Sequence, residues 1–146
     1  MKIDSNILIQ ATAQQVWQEL TQFSDYPYWN PFIVKIEGQL EAGSRLAVTM
    51  RMGNGKTTKF QPELLEVTPD KRLRWLGHLW FPGLFDGEHC FELLPETSGV
   101  RLRHYENFSG VFVGLILRMI GNTTQESFEA FNQALKNRVE QKTTKS

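Results

Sequence analysis

Three side chains on two neighbouring strand-like segments offer this sequence its chemistry: His89, His104 and Glu106. Successive side chains of a strand point to opposite faces. His89 therefore shares a face with Phe91 and Leu93, while Glu88, Cys90 and Glu92 take the other. On the next segment Leu102, His104, Glu106 and Phe108 share a face, opposite Arg101, Arg103 and Tyr105. The apolar companions put the trio on an inward face, and a hairpin turning about Thr97 sets His89 opposite or diagonal to His104 and Glu106. A buried carboxylate beside imidazoles can act as a general acid and base, because burial raises a carboxyl pKa and a His partner opposes the shift. The same trio also reads as a polar cluster satisfied by its own hydrogen bonds, or as a fixture for one polar end of a ligand. We favour this second reading, since perturbed buried pairs are often structural. Two His and one Glu are enough donors for a metal, but their spacing matches no metal motif, so neither metal nor cofactor is expected.

The elements that must hold these residues follow from periodicity. Ile3, Ser5, Ile7 and Ile9 alternate with Lys2, Asp4 and Asn6, which reads as a first strand. Thr12 with Gln15 forms a capping box, and Val16, Trp17 and Leu20 recur at helical spacing, so a short helix follows. Residues 25–32, with two prolines and four aromatics, predict a compact connector or a single helical turn that plugs one end of the core. From Phe32 the period is two for almost eighty residues, in strands over about 32–36, 46–52, 57–67, 73–75, 85–94 and 100–108. Asn54-Gly55 marks a type I′ hairpin, and Pro62 should force its strand to an edge or a bulge. The last forty residues read as helix. Thr123 with Glu126 forms a second capping box, and Phe128, Phe131, Leu135 and Val139 make one stripe, with Glu129, Asn132, Lys136 and Glu140 on other faces. That stripe needs the concave face of the sheet to bury it. Upstream, residues 111–120 are apolar on every side, so they form either a buried first half of this helix or a mobile segment over a pocket, with Gly121 as the joint.

Composition narrows the function classes. Sixteen Lys and Arg balance sixteen Asp and Glu, so no net field draws nucleic acid or an anionic membrane. Arg72, Arg74, Arg101 and Arg103 form an outward stripe, but Glu88 and Glu92 lie between them as cross-strand partners, which predicts a solvated salt-bridge lattice. His78 has the parity of Arg72 and Arg74 and is expected to be exposed. The single cysteine, Cys90, has no disulfide or metal partner and reads as a small half-buried strand residue, in keeping with a cytoplasmic protein. The first ten residues lack the apolar core of a signal peptide, and the longest apolar stretch, 111–117, is far short of the ~20 residues that cross a bilayer. Residues 1–146 are expected to form a single domain, with 141–146 a disordered tail.

Particular residues strengthen a likeness. The stretch Ala11-Thr12 to Val16-Trp17, then Phe23, Tyr26-Pro27 and Trp29-Asn30-Pro31-Phe32, followed by Gly38, Leu40, Gly43 and Leu46, by residues 82–89 (PGLFDGEH) and by residues 106–110 (ENFSG), resembles the bacterial polyketide cyclase and dehydratase-like branch of the START-like (SRPBCC) superfamily. The likeness covers about residues 3–140. It implies an α+β helix-grip fold: a curved seven-stranded antiparallel sheet wrapped around a long C-terminal helix, with two short helices after strand one. This superfamily hosts lipid carriers, hormone receptors, cyclases, oxygenase subunits and chaperone activators on one scaffold, so the resemblance is specific for fold and not for function.

The leading expectation is binding of a small hydrophobic molecule, such as a lipid, quinone, polyketide or aromatic metabolite, between sheet and helix. Trp29, Val48, Met50, Met52, Trp75, Phe91, Phe108, Phe112, Leu115 and Phe128 are its expected lining, with flexible Met50 and Met52 suited to an adaptable wall. One alternative is a cofactor-independent cyclase or dehydratase using His89, His104 and Glu106 as acid and base. Another is a protein-interaction module like the chaperone activators, docking through Trp80, Phe81 or Leu84. Residues 79–85 are too apolar to lie wholly in water; we expect them to pack on the last helix at the pocket entrance, with transient membrane contact the alternative.

Overall fold

The computed structural model describes residues 1–79 and 82–144. Strand β1 (Lys2–Ile9) alternates exposed and buried residues over its first half, as its period-two sequence requires. Helix α1 (Ala13–Thr21) starts at the expected capping box: the Gln15 N–H donates to Thr12 Oγ1 at 3.1 Å, and the Thr12 N–H donates to Gln15 Oε1 at 2.9 Å. Two donors that a helix start leaves orphaned are thereby satisfied. A 3-10 turn (Phe23–Asp25) and the one-turn helix α2 (Tyr26–Trp29) follow. Pro27 sits in the first turn, where its missing N–H is no loss. The Tyr26 ring is fully buried, packs edge-on against Trp29 and Phe131, and donates its hydroxyl to the Leu20 carbonyl. The aromatic connector plugs one end of the core.

Among the described residues eight strands, one more than expected, form two antiparallel sheets. Strands β2 (Ile33–Glu37), β3 (Ala47–Arg51) and β4 (Thr57–Phe60) make the smaller. In the larger, β5 (Glu63–Thr68), β6 (Arg72–Leu79), β7 (Phe85–Glu96) and β8 (Gly99–Ser109) join β1 in the order β1-β8-β7-β6-β5. Pro62 makes the difference. It has no N–H for a ladder, and the segment 57–67 breaks there: β4 pairs with β3 as far as Phe60, and β5 pairs with β6 from Glu63. The sheets stay stitched beside the break, where the Leu46 N–H donates to the Pro62 carbonyl and the Leu64 N–H to the Ser44 carbonyl, both at 2.8 Å.

Helix α3 (Val113–Thr144) crosses the concave face. Its C-terminal half buries Phe128, Phe131, Asn132, Leu135 and Val139. Phe131 packs 5.2 Å from Phe91, and Phe128 stacks on His104 at 4.2 Å. The Thr123–Glu126 capping box is not used; Thr123 and Thr124 each donate a hydroxyl to the Ile120 carbonyl at 2.9 Å inside an unbroken helix, so Gly121 is an interior residue and no joint. Asn132 is only 1% exposed, because it stands four residues after Phe128 and three before Leu135, within the stripe. The helix also extends through Thr144, into the expected tail. Its first half is neither buried nor detached: Leu115 and Met119 are exposed, while Ile116, Leu117 and Ile120 are half-buried.

The outward faces carry the expected lattice. Arg72 meets Glu92 at 2.8 Å, Arg74 meets Glu66 at 2.9 Å and also Glu88, and Arg103 meets Asp4 at 3.3 Å and Glu92 at 3.5 Å. Among the described residues no helix is long and apolar enough to cross a membrane.

Candidate functional site

A cavity of about 700 Å³ lies between the first half of α3 and the strands that face it. Small-molecule sites occupy roughly 300–1,000 Å³, and side-chain packing leaves no void of this size by accident. Val48, Met50, Met52, Trp75, Phe108 and Leu115, expected as lining, are in its wall. Trp29, Phe91, Phe112 and Phe128 are not. Phe91 and Phe128 are fully buried and, with Trp29, belong to the aromatic core where α3 closes onto the sheet. Phe112 is 44% exposed at the start of α3. The wall also includes Phe32, Phe60, Phe85, Ile116 and Ile120, which sequence reasoning did not assign. Strand parity marks Phe85, which shares a face with Gly87 and His89.

The trio converges, but only its carboxylate reaches the cavity. His89 is registered opposite Glu106, and Phe91 opposite His104, across the β7–β8 ladder. Glu106 lines the cavity; His89 and His104 are fully buried behind the wall. A Cβ on Gly87 would collide with the Glu106 carboxylate, so glycine there makes room for Glu106 to lie across β7. Aromatic rings fix both imidazoles. His89 stacks on Trp75 at 5.1 Å, and His104 is held between Phe91 at 4.5 Å and Phe128 at 4.2 Å.

The proton positions follow from the core outward. Ser5 donates its hydroxyl to the His104 carbonyl at 2.7 Å and accepts from Asn132 Nδ2 at 2.9 Å. That amide orientation leaves Asn132 Oδ1 an acceptor, so His104 Nδ1 donates to it across 2.9 Å. Burial, and then the neighbouring His89, hold the His104 pKa well below its ordinary value. Its ring is therefore neutral, with a lone pair on Nε2. His89 Nε2 must be the donor in the 2.6 Å contact between the two rings. This leaves His89 Nδ1 buried, without a hydrogen bond, 3.4 Å from Glu106 Oε1. His89 Nδ1 and the Glu106 carboxyl group thus face each other at the edge of the cavity with no hydrogen bond between them. Among the described residues no three His, Cys, Asp or Glu side chains are grouped to hold a metal ion.

Sequence reasoning missed Asn132, although its place in the helical stripe would have shown it. Ser5 was legible as an inward strand residue but not as a partner. His78 is exposed, as expected, and also borders the cavity. Trp80 and Phe81 lie outside the described residues. The Gly83 and Leu84 carbonyls accept from the Val111 and Phe112 N–H groups at 3.1 and 3.0 Å, which ties the loop before β7 to the start of α3.

The family model for polyketide cyclase / dehydrase and lipid transport proteins matches residues 1–140. The chain belongs to this family. No curated protein matches it significantly. Solved structures resemble this family member across nearly their whole length. The Zhui aromatase/cyclase from Streptomyces sp. R1128 shares 13% identity with a TM-score of 0.79, covering 98% of this chain and 95% of its own. A START superfamily protein from Mycobacterium smegmatis shares 19% identity with a TM-score of 0.72, covering 96% and 97%. At such identities the likeness is one of fold, and it establishes the START-like architecture.

Proposed function

We propose that this polyketide cyclase / dehydrase and lipid transport family member binds a small hydrophobic molecule, such as a lipid, quinone, polyketide or aromatic metabolite, in the cavity under the first half of α3. The cavity itself carries the reading: about 700 Å³, walled by aliphatic, thioether and aromatic side chains, with the Glu106 carboxyl group among them. Apolar burial supplies affinity, and a polar group on a largely apolar wall fixes orientation, because a ligand that leaves it unpaired loses the desolvation energy of that group. Mass spectrometry of an organic extract of the purified protein tests this. A stoichiometric apolar compound is the expected result, and failure of the protein to retain or take up any apolar compound defeats it.

A cyclase or dehydratase-type enzyme is the second reading, favoured by the Glu106 carboxyl group on the cavity wall with His89 Nδ1 3.4 Å behind it. It ranks lower because dehydration needs an acid and a base that both reach the substrate, whereas His89 and His104 have no surface on the cavity. On this reading Glu106→Gln abolishes turnover and leaves binding intact; turnover surviving in the variant removes Glu106 from the chemistry.

A further inference from the structure

Glu106 lacks the counter-charge that the chain gives Glu19 and Glu92. Glu19, 8% exposed at its side chain, meets Arg138 at 3.2 Å and Lys142 at 2.6 Å. Glu92, 14% exposed, meets Arg72 at 2.8 Å and Arg103 at 3.5 Å. Glu106 is set almost as deeply, at 16%, yet among the described residues no Lys or Arg pairs with it. His89 Nδ1, 3.4 Å away, makes no hydrogen bond to it. Closing an apolar cavity over a charge without a partner is costly, so the matching cation has to come with whatever fills the cavity.

The strand register shows what stands around this carboxyl group. On the concave face of β8, β7 and β6, Glu106, His89 and Trp75 form one row, and Phe108, Gly87 and Gly77 form the next. Residues opposite each other in a ladder share a face. The Glu106 carboxyl group leans over Gly87, where a Cβ would collide with it. In that second row it has Phe108 on one side and the bare backbone of Gly77 on the other. Phe85, two residues before Gly87, stacks on Phe108 at 5.2 Å. A Cβ on Gly77 would meet only Pro62, at an ordinary 3.7 Å, so the place beside the carboxyl group is open, and it belongs to the cavity. Among the described residues the cavity wall carries no Lys or Arg. Aromatic rings attract a cation through their quadrupole, and a carboxylate takes its N–H groups as charge-assisted hydrogen bonds.

We propose that the cavity selects an amphiphilic amine, whose apolar body fills the space under α3 and whose ammonium group lies over Gly77, hydrogen-bonded to Glu106 and flanked by Trp75 and Phe108. The inference rests on the cavity being a ligand site and narrows the class of its ligand. An ammonium group favours the ionised form of any carboxyl group beside it, so ligand and Glu106 supply each other's counter-charge. A ligand carboxylate meets the reverse: a like-charged neighbour, and no cation on the wall to offset it. Fatty acids and other anionic amphiphiles are therefore disfavoured.

Titration calorimetry with three probes on one ring system, 2-naphthylmethylamine, 2-naphthylmethanol and 2-naphthoate, separates the inference from the reading beneath it. The wild-type protein is expected to bind the amine about tenfold more tightly than the alcohol, the worth of a charge-assisted hydrogen bond over a neutral one, and the carboxylate most weakly. In Glu106→Gln the amine and the alcohol should bind alike. If that variant does not fold, Glu106→Leu is held to the same criterion. Binding of none of the three probes overturns the cavity reading together with this one. An amine bound no better than the alcohol, or a carboxylate bound as tightly as the amine, overturns the amine site alone. A preference for the amine that survives in the Glu106 variant likewise overturns it, because the cation is then held elsewhere.

Discussion

Protonating His104 has to break a hydrogen bond, since its Nδ1 already donates to Asn132 and its Nε2 accepts from His89. Burial and the adjacent His89 keep its pKa well below the value of about 6.5 at which an unfolded chain titrates. Between those two values the unfolded state holds a proton that the folded state refuses, so falling pH favours unfolding. The stability contributed by neutral His104 is complete above about pH 6.5 and declines below it, by up to about 1.4 kcal/mol per pH unit. Glu66, Glu96 and Glu140, whose pKa values are lowered in the fold, also lose stability with acid, but only as pH falls through the carboxylate range, from about 4.5 downward. Urea unfolding at steps between pH 7 and 5 should show a steeper loss in the wild-type protein than in His104→Gln. Identical slopes would mean that His104 accepts its proton in the fold.

At the scale of elements, α3 is one helix through Gly121, and a Cβ placed on Gly121 meets nothing within 4 Å. Glycine inside a helix is less favourable than alanine by about 0.5–1 kcal/mol, because the unfolded chain has more freedom to lose. Gly121→Ala should therefore raise the melting temperature by a few degrees and leave ligand affinity unchanged; a fall in either would restore Gly121 as a joint. The same helix shows what the sequence could reveal. Its C-terminal half was legible because Phe128, Phe131, Leu135 and Val139 repeat on one side. The first half was not, because residues apolar on every side carry no period to tell buried from exposed, and the solution leaves Leu115 and Met119 partly in water beside a cavity. Parity in β7 and β8 likewise brought His89 to Glu106. It could not say that Phe91 would pack solid while Phe108 would line a void, since that depends on how far α3 stands from each. His78 was read correctly as exposed, yet its place at the cavity's edge depends on where β5 stops short of β6, a tertiary event set by Pro62.

Taken whole, the molecule is tight at one end and hollow at the other. Phe131 lies in the tight end, fully buried against Tyr26, Trp29, Phe91 and His104. Met50 lies at the hollow end, half-buried with the cavity beside it. Truncating a packed phenylalanine costs about 3–5 kcal/mol, through lost transfer energy and the new void. Truncating Met50 only enlarges a space already present, so Met50→Ala should lose less than half as much. Phe131 is not part of the cavity wall, so its loss and the gain from a bound molecule should add. A probe such as 2-naphthol at a hundred times its dissociation constant should stabilise wild type and Phe131→Ala alike, by about 2.7 kcal/mol. Chemical unfolding with and without the probe checks this. A folded Phe131→Ala protein that gains nothing from the probe would mean that the tight end sets the shape of the hollow one, and that core and cavity behave as one cooperative unit.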